Sequence, residues 1–301
     1  MRDVLIIGSG PAGLTAGIYA KRAGLDAVIA EKEYMGTGQI AQTAAVDNYP
    51  GLPGISGFDL GEALRAHAEG CGTEFYDGEA LRLEKEGQIW HCSFDTGEEI
   101  TAKAVIYAAG CRYRTLDIPG EALLSGKRVH FCALCDGAFY AGKTVAVIGG
   151  SRTAAADALY LSTVAQKVLI LYRGRSLRCE QADADAIAAQ ENIEVHYGIT
   201  PVSYSETESG VRIAAASGEQ IEVSAVFEAV GMVPETALLQ GIAQLDAAGW
   251  VMAGETGETS VPGLFAAGDV RAKSVRQAVT ACADGANAAV AAEQYLRRSV
   301  C

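Results

Sequence analysis

Residues 4–13 decide the fold, and they read Val-Leu-Ile-Ile-Gly-Ser-Gly-Pro-Ala-Gly. A short apolar run leads into glycines at positions 8, 10 and 13, and a helical run continues to about residue 24. In such a strand–turn–helix unit, Gly8 permits the tight turn and Gly10 lets the backbone approach a pyrophosphate. Gly13 lets the helix pack closely on the strand. The stretch therefore predicts a dinucleotide-binding unit at the start of the chain.

The segment after this turn strengthens that prediction. Pro11 and Ala12 open the helix, whose N-terminus would face the anion. A second strand, residues 27–30, ends at Glu31, which lies 23 positions after Gly8. An acid at this distance normally binds a ribose 2′-hydroxyl. An ordinary strand–helix turn is the alternative, and the combination of strand, helix and acid argues against it.

A second strand–turn–helix pattern begins at residue 144 and reads Thr-Val-Ala-Val-Ile-Gly-Gly-Ser-Arg-Thr-Ala. A helical run from 155 to about 163 and a strand over 168–172 follow. Here Ser151 takes the place of the second glycine, and Arg152 adds a bulky neighbour. The frame predicts a nucleotide-binding unit with an altered phosphate site.

The end of the strand over 168–172 also departs from the NAD pattern, because no carboxylate stands there. Three arginines follow instead: Arg173, Arg175 and Arg178. Arginines at this position could contact a ribose 2′-phosphate or simply face water, and the sequence leaves both possibilities open.

The two units suggest an α/β protein with two Rossmann-like domains of the three-layer ββα, FAD/NAD(P)-binding type, the second inserted into the first. Further strands are expected near 193–196, 211–214 and 221–230, and a long final helix over about 275–296. The predicted domains are residues 1–112 with 244–301, and residues 113–243. Hinges are expected near 110–115 and 241–247.

Composition and charge exclude some functions. The chain has 301 residues, half hydrophobic and a fifth charged, with a formal net charge of −13. So acidic a surface argues against nucleic acid or an anionic membrane as a general partner. Residues 112–178 carry a net +6, which indicates either chance clustering or a face for anions or acidic partners. No secretion signal or membrane-length apolar run is visible, and a cytoplasmic location is expected.

The pair Cys132 and Cys135, separated by Ala133 and Leu134, is the main chemical motif. Such a pair can alternate between dithiol and disulfide with little backbone movement. One thiol must ionise to react, and the motif lowers its pKa. Structural zinc needs four ligands, and one pair with four histidines supplies too few. No metal is therefore predicted, and a buried structural pair is the remaining alternative. Cys301, the last residue, is a further candidate for oxidation.

Several motifs in one order give the chain a resemblance to the low-molecular-weight bacterial thioredoxin reductases. They are residues 8–13, Gly-Thr-Gly-Gln at 36–39, Asn-Tyr-Pro-Gly at 48–51, Cys-Ala-Leu-Cys-Asp-Gly at 132–137, Ala-Leu-Tyr-Leu at 158–161, Phe-Ala-Ala-Gly-Asp at 265–269 and Arg-Gln-Ala at 276–278. The resemblance implies an FAD enzyme that forms a homodimer and reduces thioredoxin. It also implies a set of cofactor-binding residues in addition to the first glycine motif and Glu31: Gln39, Asn48, Ala109, Gly110, Gly268, Asp269, Arg276, Gln277 and Ala278.

The resemblance also implies roles at the dithiol. Cys135 would face the flavin, and Cys132 would attack the disulfide of the partner. Asp136 would supply the acid, and burial would have to raise its pKa. A helix N-cap is the alternative role for Asp136. Because flavin and partner cannot both reach one dithiol in a single pose, a domain rotation about the hinges is predicted.

The second nucleotide motif departs from the family pattern of NADPH-dependent members. Residues 149–154 and residues 172–178 both depart from that pattern. In this respect the chain resembles the ferredoxin-dependent flavin thioredoxin reductases. Ferredoxin is therefore the predicted donor and NADPH is doubtful, with NADPH for the same reaction as the alternative. A flavin NAD(P)H oxidoreductase without a disulfide substrate and a non-catalytic flavin sensor are further alternatives, and the dithiol argues against both.

Overall fold

The computed structural model describes residues 1–33, 35–43 and 45–298, without the side chain of Gln42. Cys301 lies outside these residues. The chain divides into two compact units, the first formed by Met1–Arg112 and the segment from Val233 onward, and the second by Tyr113–Met232. The second unit is thus inserted into the first, as the α/β prediction with an inserted domain requires.

The elements of the first unit alternate between strands and helices at its start. In chain order they are β1 (Arg2–Ile7), α1 (Pro11–Arg22), β2 (Ala27–Glu31), α2 (Gly57–Gly70), β3 (Glu74–Asp77), β4 (Ala80–Glu86), β5 (Ile89–Phe94), β6 (Glu99–Tyr107) and β7 (Cys111–Tyr113). The second unit contains α3 (Glu121–Leu124), β8 (Val129–His130), α4 (Ala133–Asp136), β9 (Thr144–Ile148), α5 (Arg152–Ser162), β10 (Lys167–Tyr172), α6 (Gln181–Ala188), β11 (Ile193–Tyr197), β12 (Pro201–Glu206), β13 (Val211–Ala215), β14 (Gln220–Val223) and β15 (Ala225–Glu228). The chain then forms β16 (Met232–Pro234), β17 (Leu264–Ala266) and α7 (Ala278–Arg298).

The sheet of the first unit runs in the order β3-β2-β1-β6-β5-β4, with β17 also pairing with β6. Strands β1, β2, β3, β6 and β17 are parallel, whereas β4 and β5 continue the sheet as an antiparallel meander. Val4 and Ile6 face a core against α1 and α7, while Leu5 and Ile7 face a second core with Trp90. Burial on both faces explains why β1 is a continuous apolar run.

The second unit has a parallel sheet in the order β11-β10-β9-β15-β8 and an antiparallel sheet of β12, β13 and β14. The segment predicted as one strand over 221–230 is two strands, β14 and β15, which belong to different sheets. The break falls at Ser224, whose amide donates to the carbonyl of Thr144 rather than continuing the first ladder. One serine within a strand pattern does not by itself predict this change of sheet.

The chain returns to the first unit at Val233, eleven residues before the predicted boundary at 244. The segment that follows already packs in the first unit: Leu239 is fully buried in its second core. The amide of Glu235 donates to the carbonyl of Gly110 at 3.0 Å. No helix in the described ranges is long and apolar enough to cross a membrane.

Glu228, at the end of β15, makes the stability of the protein depend on pH. Its side chain is buried and accepts a hydrogen bond from the Tyr204 hydroxyl at 2.8 Å. Burial raises the pKa of Glu228 to about 8; the Tyr204 hydroxyl lowers it and the Glu121 carboxylate raises it. The folded protein therefore keeps Glu228 neutral at pH values where the unfolded chain ionises it.

We expect the melting temperature to fall as the pH rises from about 4.5 to 8, because the unfolded state releases the Glu228 proton first. The free energy of unfolding of Glu228→Gln should match that of the wild type near pH 5. At pH 8.5 it should exceed the wild-type value by about 1–3 kcal/mol. Circular-dichroism melts of both proteins across this range measure the effect. Glu219→Gln, an exposed residue of the same unit, is the control and should leave the slope unchanged. A Glu228→Gln curve parallel to the wild type would contradict the prediction.

Candidate active site

The turn between β1 and α1 closes only with glycine at two positions. Gly8 has a φ of 103°, and a Cβ there would lie 2.5 Å from the Ala108 carbonyl oxygen. A Cβ on Gly13 would lie 1.8 Å from the Gly8 carbonyl oxygen. These contacts fix the backbone so that the N-terminus of α1, at Pro11, opens toward the turn. Gly38 also approaches this turn, since its Cβ would fall 2.8 Å from the Gly10 Cα.

Glu31 lies beside the glycine turn, as predicted from its spacing. Its Oε2 accepts hydrogen bonds from the Ser9 amide at 2.9 Å and the Ser9 hydroxyl at 2.6 Å. A cleft of about 550 Å³ borders this carboxylate, and Gly8, Tyr107 and Ala109 also line it. Ser9 is fully buried and was not predicted as a site residue, although its position between two motif glycines is a usable signal.

Asp269 lies in the turn that follows β17 and is held there by Asp284. The Gly268 amide donates to Asp284 Oδ2 at 3.1 Å, and Arg271 donates to Asp284 Oδ1 at 2.6 Å. Burial raises the pKa of Asp269, and the Lys273 ammonium, 3.1 Å from its Oδ1, lowers it. That Oδ1 is buried, and the Lys273 ammonium is its partner. Asp284 lies 15 residues from Asp269, and no sequence motif marks it as a site residue.

The other predicted cofactor residues of the first unit contact one another or a neighbouring segment. Asn48 Nδ2 donates to Gln277 Oε1 at 3.0 Å, directly before α7 begins at Ala278. Arg276 stacks its guanidinium 3.6 Å above the Trp250 ring. Gln39 Nε2 donates to the Cys111 carbonyl, and Gly110 lies at the same strand end, with a φ of 72°. The contact of these residues with a flavin ring stays a prediction.

The first unit fits FAD on two features of its own residues. The glycine turn brings bare backbone to the N-terminus of α1, and the Glu31 carboxylate stands beside it. A dinucleotide supplies the pyrophosphate and hydroxyl groups that such features bind. The cleft beside Glu31 is of the size that small-molecule sites have.

The loop after β9 in the second unit keeps the shape of a nucleotide-binding turn but not its residues. Gly149 has a φ of 147°, and a Cβ on Gly150 would lie 2.4 Å from the Tyr172 ring. The Ser151 hydroxyl accepts from the Ala154 amide at 3.5 Å and so caps α5. Arg152 forms an exposed ion pair with Glu180 at 3.3 Å.

Three exposed arginines stand next to this loop, directly after β10. The Arg178 amide donates to the Gly150 carbonyl at 2.6 Å, which joins the arginine segment to the loop. The segment carries Arg173, Arg175 and Arg178. Within the described ranges none of the three forms an ion pair with a protein carboxylate, so their guanidinium groups are available for an anion.

Cys132 and Cys135 are joined by a disulfide, with their Cα atoms 5.3 Å apart. Cys132 caps the short helix α4, and the Cys135 amide donates to its Sγ at 3.2 Å. Leu134, between the two cysteines, is about half exposed, so the bridge lies near the surface of its unit.

Asp136 does not act as a helix cap, since its side chain makes no capping hydrogen bond. Its Oδ2 instead lies 3.2 Å from Nδ1 of His130, and its side chain is 19% exposed. The side chain of Asp136 is therefore largely, but not completely, buried. His130 was not predicted as a site residue; its place two residues before a Cys-x-x-Cys pair was the available signal.

Comparison with known proteins places these features in a family. Residues 2–285 match the family model described as pyridine nucleotide-disulphide oxidoreductase. The chain is 40% identical to NADPH-dependent thioredoxin reductase 3 of Arabidopsis thaliana over 98% of its own length and 58% of that protein. It is 37% identical to a thioredoxin reductase of Listeria monocytogenes, covering 98% of this chain and 93% of the relative. The crystal structure of thioredoxin reductase from Streptococcus pyogenes matches with a TM-score of 0.92, 34% identity and 99% coverage of both chains.

Proposed function

The chain belongs to the pyridine nucleotide-disulphide oxidoreductase family, and from this premise we propose that it is an FAD-dependent thioredoxin-disulfide reductase. The observation that carries the proposal is the Cys132–Cys135 disulfide, placed on a unit inserted into an FAD-type domain. Relatives from Listeria and Streptococcus named thioredoxin reductase, which match over nearly the whole chain, support the choice of substrate. A flavin NAD(P)H oxidoreductase would have no use for the dithiol.

FAD, when bound, supplies a two-electron carrier that can reduce the disulfide to two thiols. Cys132 is then the nucleophile: its sulfur forms a bond to one sulfur of the partner disulfide, and the other partner sulfur leaves and takes a proton. Cys135 next attacks Cys132, restores the internal disulfide and releases the second partner thiol. Asp136, next to Cys135 in the chain, is the proposed source of the proton. The partner thus gains two electrons and two protons.

We propose NADPH as the electron donor. The Arabidopsis relative is named NADPH-dependent, which favours this donor over the ferredoxin predicted from the altered motifs. The sequence-based prediction that NADPH is a doubtful donor is not supported by that relative. The exposed arginines after β10 add a physical reason, because a guanidinium fork suits a ribose 2′-phosphate. Ferredoxin stays a second candidate on one observation, the Ser151 and Arg152 side chains in the phosphate turn.

Anaerobic reduction of the bound flavin by NADPH, NADH and reduced ferredoxin tests the donor directly. Rapid bleaching by micromolar NADPH is expected, and bleaching by ferredoxin alone would support the second candidate. The double variant Arg173→Gln/Arg178→Gln should lower kcat/KM for NADPH by about 10-fold or more and leave NADH unaffected, because NADH lacks the 2′-phosphate. Arg22→Gln, an exposed arginine on α1, is the matched control. An equal loss with both nucleotides would contradict a 2′-phosphate contact.

Three features expected from the sequence analysis remain predictions. They are the homodimer, the rotation of the inserted domain and the cytoplasmic location. Light scattering of the purified protein measures the first of them, with a mass near twice 31.3 kDa expected for a homodimer.

A further inference from the structure

His130 is a buried histidine beside the dithiol, and no step described above uses it. It ends β8, two residues before Cys132, and its side chain is only 7% exposed. Its Nδ1 lies 3.2 Å from Asp136 Oδ2, and its Nε2 lies 2.7 Å from the Tyr140 hydroxyl oxygen. Both ring nitrogens therefore have a partner inside the protein, and one partner is the proposed acid.

The hydroxyl of Tyr140 lies between His130 Nε2 and the Lys127 carbonyl oxygen, at 2.7 and 3.0 Å. The carbonyl can only accept, so when the single hydroxyl proton points to it, the hydroxyl oxygen accepts from His130 Nε2–H, and the proton sharing proposed below requires this arrangement. With Nε2 protonated, Nδ1 is bare unless the ring is an imidazolium. The 3.2 Å contact with Asp136 then holds one proton, either on the carboxyl or on Nδ1.

The other groups around His130 are consistent with this arrangement. The Phe227 ring of β15 stacks on the imidazole, with centroids 5.4 Å apart, so that face is apolar. Burial raises the pKa of Tyr140, while Arg128 lowers it and Asp136 raises it. The net upward shift keeps the hydroxyl protonated at neutral pH. The Lys143 ammonium stands 5.9 Å from the Tyr140 ring and is the other nearby cation.

We propose that His130 is a positioning residue that shares one proton with Asp136 and so keeps this carboxyl able to act as an acid at neutral pH. The inference rests on the proposed function, because Asp136 is the proposed acid there. When Cys132 attacks the partner disulfide, the sulfur–sulfur bond of the partner breaks and the leaving sulfur takes the shared proton to become a thiol. The pair is left as a carboxylate and a neutral imidazole, and water returns the proton. A partly exposed Asp136 can serve as the acid in this way without complete burial.

The first test reads the proton directly and needs no turnover. The chain has four histidines, His67, His91, His130 and His196, so the ¹⁵N-histidine spectrum of the oxidised holoenzyme is simple. His130→Gln identifies the resonance by its disappearance. A neutral ring protonated at Nε2 or an imidazolium is expected at pH 7. A neutral ring protonated at Nδ1 would overturn the proposal, and this result holds whether or not thioredoxin is the substrate.

The second test follows the single-turnover reduction of thioredoxin by the pre-reduced enzyme as a function of pH. His130→Gln is expected to slow the reaction about 10²-fold at pH 8 and to move the alkaline limb of the rate profile at least one unit lower. Added to Asp136→Asn, the same substitution should change the rate less than about twofold, because His130 acts through Asp136. His67→Gln, exposed on α2, is the control and should keep the wild-type profile.

An unchanged alkaline limb in His130→Gln, or a full further loss on top of Asp136→Asn, would show a purely structural role and overturn the proposal. If His130→Gln does not fold, Tyr140→Phe tests the same proposal. This substitution removes the acceptor for Nε2–H and lets the neutral His130 ring hold its proton on Nδ1. Its alkaline limb should move in the same direction by a smaller amount, and an unmoved limb would count against the proposal. A wild-type enzyme that fails to reduce thioredoxin would refute the proposed function, while the ¹⁵N spectrum would still decide the proton arrangement.

Discussion

Replacing Cys132 with serine is expected to lower thioredoxin reduction by about 10³-fold or more, while the donor still bleaches the bound flavin. The reason is chemical: only Cys132 is assigned to form the mixed disulfide, and a serine hydroxyl cannot replace a thiolate in that exchange. The thiol is half of the disulfide observed in the second unit. Steady-state thioredoxin reduction and anaerobic flavin spectra of the same preparation measure the two halves of the cycle.

The direction of the exchange is tested by the companion substitution. Cys135→Ser should still let Cys132 attack thioredoxin but leave the product unresolved, so a covalent enzyme–thioredoxin complex should accumulate. Cys179→Ser, a partly buried free cysteine of the same unit, is the control and should keep full activity. If Cys132→Ser trapped thioredoxin and Cys135→Ser did not, the two assigned roles would be reversed.

Substitution of Gly10 is expected to abolish most FAD binding without harming the fold, whereas substitution of Gly13 should harm both. A Cβ on Gly10 would meet only the Gly38 Cα at 4.0 Å, and the φ of −65° at Gly10 suits alanine. The same atom would stand where the pyrophosphate must approach the backbone. We expect Gly10→Ala to weaken FAD binding about 100-fold and to change the stability of the flavin-free protein by less than about 1 kcal/mol.

Gly13→Ala provides the contrast, because its Cβ would lie 1.8 Å from the Gly8 carbonyl oxygen, a backbone atom that cannot move aside cheaply. A loss of more than about 3 kcal/mol is expected. Flavin content after purification, fluorescence titration with FAD and urea unfolding of the flavin-free proteins separate the two effects. Normal FAD affinity in Gly10→Ala would mean that this glycine does not face the pyrophosphate.

The sequence was sufficient wherever a short stretch carries its own steric rule. The continuous apolar run of the first strand, the glycines at 8 and 13, and the acid at 31 predict the turn, the helix and the dinucleotide site together. The three-residue step from Cys132 to Cys135 likewise predicts a redox pair. These features depend on atoms that the chain brings together within one turn or one strand–helix unit.

Contacts between distant segments could not be read in the same way. The stretch over 221–230 has a polar residue at Ser224, but a serine alone does not predict a break, which depends on the neighbouring strand with which each half pairs. The return of the chain to the first unit at Val233 depends on the burial of Leu239 among strands far away in sequence. Asp284 became part of the Asp269 site because α7 brings it back to the Gly268 turn.

The dithiol shows the same division on a small scale. The sequence by itself determined that Cys132 and Cys135 can form a bridge and that an acid follows them, since adjacent residues fix those distances. Only the tertiary structure decided that the acid faces one nitrogen of His130, and that the Tyr140 hydroxyl, next to the Lys127 carbonyl, faces the other. The physical reason is that a hydrogen-bond direction depends on where several side chains meet in three dimensions, and no spacing along the chain fixes that meeting point.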